Sequence, residues 1–266
     1  MKYKIKTLSI YDFTDCEGCE IQFLNLRHRL TEFDQMFEIV DWRLLQSKKM
    51  NSTRIHPVEV PPEAGRSGID VIFIEGIPAT KNEIETLKIL REKTNNLVAL
   101  GACAQTGGVP GILDQEKRQK MIKKIYGPDY KAKIINSKPL STFVQIDYWL
   151  SGCPANPREI KEVLVNIYQG KKLTPKTYPV CLECKISENQ CLLKFEDKPC
   201  MGPITKGGCG SVCPKNKFPC FGCWGPVKDA NIGAYKNILK KKGYNKIEID
   251  NWVKIIWNQI EMKNEK

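Results

Sequence analysis

The sequence predicts an α/β chain in which an open, doubly wound parallel sheet is followed by a small irregular cysteine-rich region and C-terminal helices. Three observations carry this expectation. Short β-rich runs alternate with helical patterns over the first 170 residues, the signature of βαβ units and a parallel sheet. The hydrophobic fraction, 41% of 266 residues, suffices to bury a core without disulfide staples. Beyond Thr174 the composition changes, and the 43 residues from Cys181 to Cys223 hold eight of the chain's twelve cysteines.

The first strand is expected at Tyr3–Tyr11, and a helix at Glu20–Leu30 places Ile21, Leu24 and His28 on one face. Phe37–Trp42 is the second strand. Gln46–Ser67 then breaks the alternation with Pro57, Pro61, Pro62 and Gly65, and reads as a long surface loop in which His56 has a loop role. The run Ile69–Ile74 is apolar enough for a central strand. The helix Lys81–Lys93 follows with Ile84, Leu87, Ile89 and Leu90. Asn96–Leu100 and Val144–Leu150 are further strands, with helices at Glu116–Tyr126 and Pro157–Tyr168. Pro157 suits a first helical position, where its missing N–H costs nothing.

The cysteine-rich stretch is dense in Gly and Pro, and so poor in apolar residues that metal–thiolate bonds are expected to supply its folding energy. A polar, lysine-rich helical segment comes next. The chain closes on Ile247–Glu261, where Ile249, Trp252, Val253, Ile256, Trp257 and Ile260 form an apolar stripe. That stripe fits packing on the protein's own body or seating in a partner's groove.

Composition excludes several classes. The hydrophobic fraction excludes disorder, and no run approaches the 18 apolar residues of a membrane span. The segment from Met1 to Lys6 leads into a strand with no apolar signal core and no twin arginine, so a cytoplasmic location is expected. The net charge of +12 comes from scattered lysines with one dense run at Lys240, Lys241 and Lys242. That pattern suits solvated surface or an acidic partner subunit better than a nucleic acid.

In a reducing compartment twelve cysteines read as metal ligands or redox groups. Four are spread out: Cys16 and Cys19 (Cys-Glu-Gly-Cys), Cys103 (Gly-Ala-Cys-Ala) and Cys153 (Gly-Cys-Pro). Each group follows an expected strand, and in a parallel sheet those strand ends lie side by side, so four thiols distant in sequence converge. Adjacent glycines let the backbone approach a bulky inorganic core. Glu75 and Gly76 end another strand on this edge, and Glu75 reads either as a neighbour of that site or as a plain loop residue. In the tail stand Cys181, Cys184, Cys191, Cys200, Cys209, Cys213, Cys220 and Cys223. The Cys-x2-Cys pairs fit tetrahedral zinc, and the Cys213-Pro214 step with flanking glycines fits iron–sulfur ligation. The sheet-edge quartet favours iron–sulfur clusters, because zinc ribbons draw their ligands from adjacent hairpins.

Taken together, Cys16-Glu-Gly-Cys19, Ile74-Glu75-Gly76, Gly101-Ala-Cys103, Gly152-Cys153-Pro154, Cys200-Met-Gly-Pro-Ile-Thr and Cys220-Phe-Gly-Cys223 resemble the small, electron-transfer subunit of nickel–iron hydrogenases over nearly the whole chain. The resemblance is strongest to the cytoplasmic multimeric branch, which includes sulfhydrogenase delta subunits and the small subunits of methyl-viologen-reducing hydrogenases. It implies a flavodoxin-like domain over 1–173, a two-cluster iron–sulfur domain over 174–230 and a helical segment over 231–266. It also implies three 4Fe–4S clusters: a proximal one on Cys16, Cys19, Cys103 and Cys153, a distal one on Cys181, Cys184, Cys191 and Cys200, and a medial one on Cys209, Cys213, Cys220 and Cys223. Cys181 stands where periplasmic relatives carry a histidine, and Cys213 where they carry the proline that gives a three-iron medial cluster. The implied partners are a nickel–iron large subunit and a flavin or iron–sulfur acceptor subunit, with no bond chemistry on this chain itself. The related respiratory complex I subunit has adjacent cysteines at the first motif and lacks the eight-cysteine tail. Two alternatives stay open: a relay subunit whose large partner has lost nickel, and a zinc-stabilised interaction module.

Overall fold

The computed structural model of the chain describes residues 5–26, 30–45, 68–135 and 138–258. Five strands, β1 (Lys6–Asp12), β2 (Phe37–Trp42), β3 (Ile69–Glu75), β4 (Thr94–Leu100) and β5 (Tyr148–Leu150), pair in parallel in the order β2-β1-β3-β4-β5. This is the flavodoxin-like order, with its switch point between β1 and β3. β3 lies at the centre with Ile69, Val71, Ile72, Phe73 and Ile74 fully buried, which is why it reads as a continuous apolar run.

Helices cover both faces of the sheet. Leu8, Ile10, Val71, Phe73, Val98 and Leu100 face α1 (Gly18–Leu24) and α6 (Pro157–Gln169), meeting Phe23, Ile160, Val163, Leu164 and Ile167. Ile72, Ile74, Leu97 and Ala99 face the other way, towards Leu87 and Leu90 of α3 (Lys81–Glu92) and Ala104 of α4 (Gly101–Thr106). Local signals set the helix ends. Thr80 and Glu83 form a reciprocal capping box on α3, Asp114 caps α5 (Gln115–Tyr126), and Asn156 with Pro157 starts α6.

Three expectations need correction. Residues 20–30 do not form one helix burying Ile21 and Leu24; α1 stops at Leu24, a short helix α2 occupies Leu30–Phe33, and the buried side is Cys19, Glu20 and Phe23. β5 is shorter than Val144–Leu150. The Asp147 carboxylate accepts from the Leu97 N–H (2.8 Å) and pairs with Arg91, which draws the chain out of the ladder before Tyr148. Ile89 lies on the exposed side of α3. The readings placed on Tyr3, Lys4, His28, His56, 46–67 and Ile260 fall outside the described residues.

The cysteine-rich region also has more core than its own sequence suggests. After α7 (Val180–Ile186), α8 (Leu192–Phe195) and α9 (Val212–Lys215), two helices, α10 (Ile232–Lys241) and α11 (Lys246–Lys254), return across it. Tyr235, Leu239, Ile249, Val253, Ile256 and Trp257 pack there on Val180, Leu193, Met201 and Ile204. Ile249, Val253, Ile256 and Trp257 of the apolar stripe are thus covered by this protein's own residues. The fully buried Trp257 donates its indole N–H to Gly222 O (2.7 Å), and the Thr106 hydroxyl donates to Ile256 O (2.8 Å), tying the C-terminal segment to α4. Among the described residues no helix is long and apolar enough to cross a membrane.

Candidate functional site

The carboxyl ends of β1, β4 and β5 deliver the four spread cysteines. Cys16 lies in the loop after β1, Cys19 in α1, Cys103 at the start of α4 directly after β4, and Cys153 three residues past β5. Cys16 and Cys153 are exposed, Cys103 is half-buried and Cys19 is buried. Burial pushes the Cys103 thiol up to about 12, and its neighbours Cys153 and Cys16 add to that. Cys153 is raised by burial and then by Cys16, and Cys19 is raised by burial and then by the Glu75 carboxylate. A set of crowded, desolvated thiols resists becoming anionic unless a positive centre joins it.

Gly101 makes room for this approach. Its backbone has φ 83°, and a Cβ there would stand 2.3 Å from Cys19 Sγ. The Ala155 N–H donates to Cys19 Sγ at 3.4 Å, an amide-to-sulfur bond of the kind that tunes iron–sulfur centres.

Glu75 resolves an open reading: it is a neighbour of the sheet-edge thiols and not a plain loop residue. It ends β3, is buried, and its two carboxylate oxygens accept from the N–H groups of Cys19 (3.1 Å) and Glu20 (2.7 Å). Glu20 in turn accepts from the Trp42 indole at 2.8 Å. This chain of contacts turns α1 so that Cys19 faces the sheet edge. Burial raises the Glu75 carboxyl, while the two amide bonds hold it down. Glu75→Ala should cost about 3 kcal/mol in chemical denaturation, since it strands two buried N–H groups and leaves a cavity. Glu75→Gln keeps one acceptor oxygen and should cost about a third of that. Equal costs for the two variants would show that the amide bonds contribute little.

The tail thiols fall into two groups. Cys181 and Cys184 sit on α7, Cys191 caps α8 and Cys200 follows; burial pushes Cys181 up to about 12, with Cys200, Cys184 and Cys191 adding to it. A Cβ on Gly202 would meet Cys181 Sγ at 3.2 Å and Cys200 Sγ at 3.5 Å. In the second group burial pushes Cys223 up to about 12, with Cys213 and Cys209 adding to it, and Cys220 is raised by burial. The groups touch. The Cys220 N–H donates to Cys200 Sγ (3.2 Å), and the Gly152 N–H, beside Cys153, donates to Cys223 O (3.1 Å). The group of Cys220 and Cys223 thus contacts both the Cys200 group and the sheet edge beside Cys153. Among the described residues no three Cys, His, Asp or Glu side chains close on a point where a single bare ion would sit. A cube of four irons is wider than one ion, and its thiolates stand further apart.

The sheet-edge group and the α7–α8 group both have exposed apolar side chains on neighbouring segments. Ile21, Leu24, Val109 and Ile112 are exposed on segments flanking the sheet-edge cysteines. Leu182, Ile186 and Phe195 are exposed on the helices of Cys181, Cys184 and Cys191, next to Lys185 and Lys194. A carboxylate not foreseen from sequence, Glu183 of α7, reaches the loop that carries Cys209 and accepts from the Gly208 and Gly210 N–H groups. The only hint of it in the sequence is an acid placed between two ligand-spaced cysteines.

Fold and site together define a class: a flavodoxin-like domain whose sheet edge and tail present thiol groups in contact with one another. The profile of the family described as NADH ubiquinone oxidoreductase, 20 Kd subunit, matches residues 16–167, and the chain belongs to that family, in its hydrogenase small-subunit branch. The profile ends before the eight-cysteine tail, whereas hydrogenase subunits match through it. Sulfhydrogenase 2 subunit delta of Pyrococcus furiosus is 34% identical over 235 residues, covering 88% of this chain and 92% of its own length. A vhu subunit of the F420-non-reducing hydrogenase of Methanocaldococcus jannaschii is 29% identical, covering 91% and 90%. Among solved structures, the Ni-Fe-Se hydrogenase of Desulfomicrobium baculatum superposes with a TM-score of 0.53 at 17% identity, over 86% of this chain and 97% of that one, a likeness of fold.

Proposed function

We propose that this chain is the electron-transfer subunit of a cytoplasmic nickel–iron hydrogenase, relaying electrons between the nickel–iron centre of a large subunit and a flavin or iron–sulfur partner. The observation that carries the reading is the contact of the Cys220/Cys223 group with both other thiol sets, through Gly152 and Cys223 on one side and Cys220 and Cys200 on the other. Cys16, Cys19, Cys103 and Cys153 hold the proximal 4Fe–4S cluster, Cys209, Cys213, Cys220 and Cys223 the medial one, and Cys181, Cys184, Cys191 and Cys200 the distal one. When bound, the clusters supply one-electron redox chemistry over gaps short enough for tunnelling. The chain's own residues hold them as thiolates, aim amides at sulfur, and exclude water through the buried Cys19, Cys200 and Cys220.

The exposed thiols Cys16 and Cys153, with Ile21, Leu24, Val109 and Ile112 around them, suit a large subunit pressed onto the sheet edge. The exposed Leu182, Ile186 and Phe195 with their lysines suit a second, acidic-rimmed partner at the far end. Domains at 1–173, 174–230 and 231–266 fit this division of labour, although α10 and α11 share one core with the cluster region.

Iron and sulfide analysis of anaerobically purified protein tests the reading. About twelve irons and as many sulfides per chain are expected for three cubanes. Zinc without sulfide would sink the relay and leave a zinc-stabilised module. The sequence of the neighbouring large subunit settles the partner, since two Cys-x2-Cys pairs are needed there to hold nickel.

A further inference from the structure

Glu183 stands within the Cys181-Leu-Glu-Cys184 turn, yet its carboxylate serves a different stretch of chain. Oε1 accepts from the Gly208 N–H (2.7 Å) and the Tyr178 hydroxyl (3.2 Å). Oε2 accepts from the N–H groups of Gly210 (2.9 Å) and Ser211 (3.3 Å) and lies 3.8 Å from Cys209 Sγ. The backbone there runs through positive φ at Gly208 (132°), Gly210 (70°) and Ser211 (52°). Such a turn points successive N–H groups inward and forms an anion-binding nest. Here the anion is a side chain from the neighbouring thiol set. Ser211 is fully buried and is not glycine, so its left-handed backbone is held against its own preference. Three amides converging on one carboxylate are the restraint that holds it.

We infer that Glu183 is a positioning residue for the medial cluster: it shapes the Cys209 loop and biases the reduction equilibrium of the group bound there by its charge. The inference rests on the cluster reading given above. In each transfer the group that Cys16, Cys19, Cys103 and Cys153 would hold gives up one electron and the group that Cys209, Cys213, Cys220 and Cys223 would hold takes it, with no proton or atom moved. The gain adds negative charge beside the Glu183 carboxylate, which opposes it and keeps the middle site low in potential.

The test uses the assembled complex, purified anaerobically, with iron and sulfide counted before each redox titration followed by electron paramagnetic resonance. Cys209→Ser identifies the medial signal. Glu183→Gln retains one acceptor oxygen and removes the charge. It should keep the wild-type iron count and make the medial site about tenfold easier to reduce, which is 59 mV for a one-electron couple, with the other two signals unmoved. Glu183→Asp keeps the charge and should titrate like the wild type. An unmoved medial signal in Glu183→Gln at full iron content would overturn the inference, as would an equal shift of all three signals. Should Glu183→Gln lose iron, Glu183→Asp decides: four irons missing from the first and none from the second supports the assignment, and loss from both overturns it. A wild-type complex without about twelve irons refutes the cluster reading itself, before any variant is made.

Discussion

Cys16→Ser in the assembled complex should abolish hydrogen-dependent dye reduction while leaving the large subunit's own isotope exchange largely intact. On the proposed relay, exchange needs only the binding and splitting of dihydrogen on the partner, whereas dye reduction would need every electron to leave through this chain. Cys16 is exposed at the sheet edge and has no core packing to lose, so the substitution tests ligation rather than folding. Serine offers a hydroxyl that stays protonated at neutral pH and is a harder, poorer ligand for iron than a thiolate. Dye reduction should fall at least about a hundredfold, the scale seen when a metal site loses part of its support. Circular dichroism should match the wild type, because β1 and β3 pair without Cys16. Unchanged dye reduction would mean that electrons enter elsewhere and that the proximal assignment is wrong.

The sheet-edge quartet was legible because it follows from topology alone. Once the runs ending at Asp12, Leu100 and Leu150 are strands of a parallel sheet, Cys16, Cys19, Cys103 and Cys153 have one place to meet. The orientation of α1 was not legible. Its periodicity offers Ile21 and Leu24 as the inner face, but the turn is set by Glu75, whose contact with Cys19 spans 56 residues. A local window cannot weigh a carboxylate from the next strand but one. The same limit applies to the tail. Read by itself the segment lacks a core; in the fold it borrows one from Tyr235, Leu239, Ile249, Val253 and Trp257. That borrowing changes the energetics expected of the region. On the proposed ligation, metal–thiolate bonds there would reinforce an existing apolar core rather than replace it, so α10, α11 and the thiols that share their core would be stabilised together.

Gly101→Ala should remove the proximal set's capacity to assemble while sparing the rest of the fold. Gly101 has φ 83°, and an added Cβ would lie 2.3 Å from Cys19 Sγ and 3.5 Å from Gly152 O. The left-handed backbone alone costs a residue with a Cβ about 1–2 kcal/mol. The collision adds about 1–3 kcal/mol of overpacking, and relief means driving Cys19 off its rotamer or moving the β4–α4 junction. Either relief displaces a thiol of the quartet. Moving the junction also strains the bond from the Ala102 N–H to Gly152 O (2.7 Å), and Gly152 is the residue whose N–H donates to Cys223 O. Iron should therefore fall from about twelve to about eight per chain, and dye reduction should be lost with it. Gly170→Ala is the control: its backbone is left-handed (φ 67°, ψ 22°), but a Cβ there meets nothing within 4 Å. That variant should lose about 1–2 kcal/mol in denaturation and keep its full iron and its activity. If Gly101→Ala behaved like Gly170→Ala, the close approach of backbone to Cys19 would be dispensable, and the sheet edge would not be the point at which the proximal thiols are held.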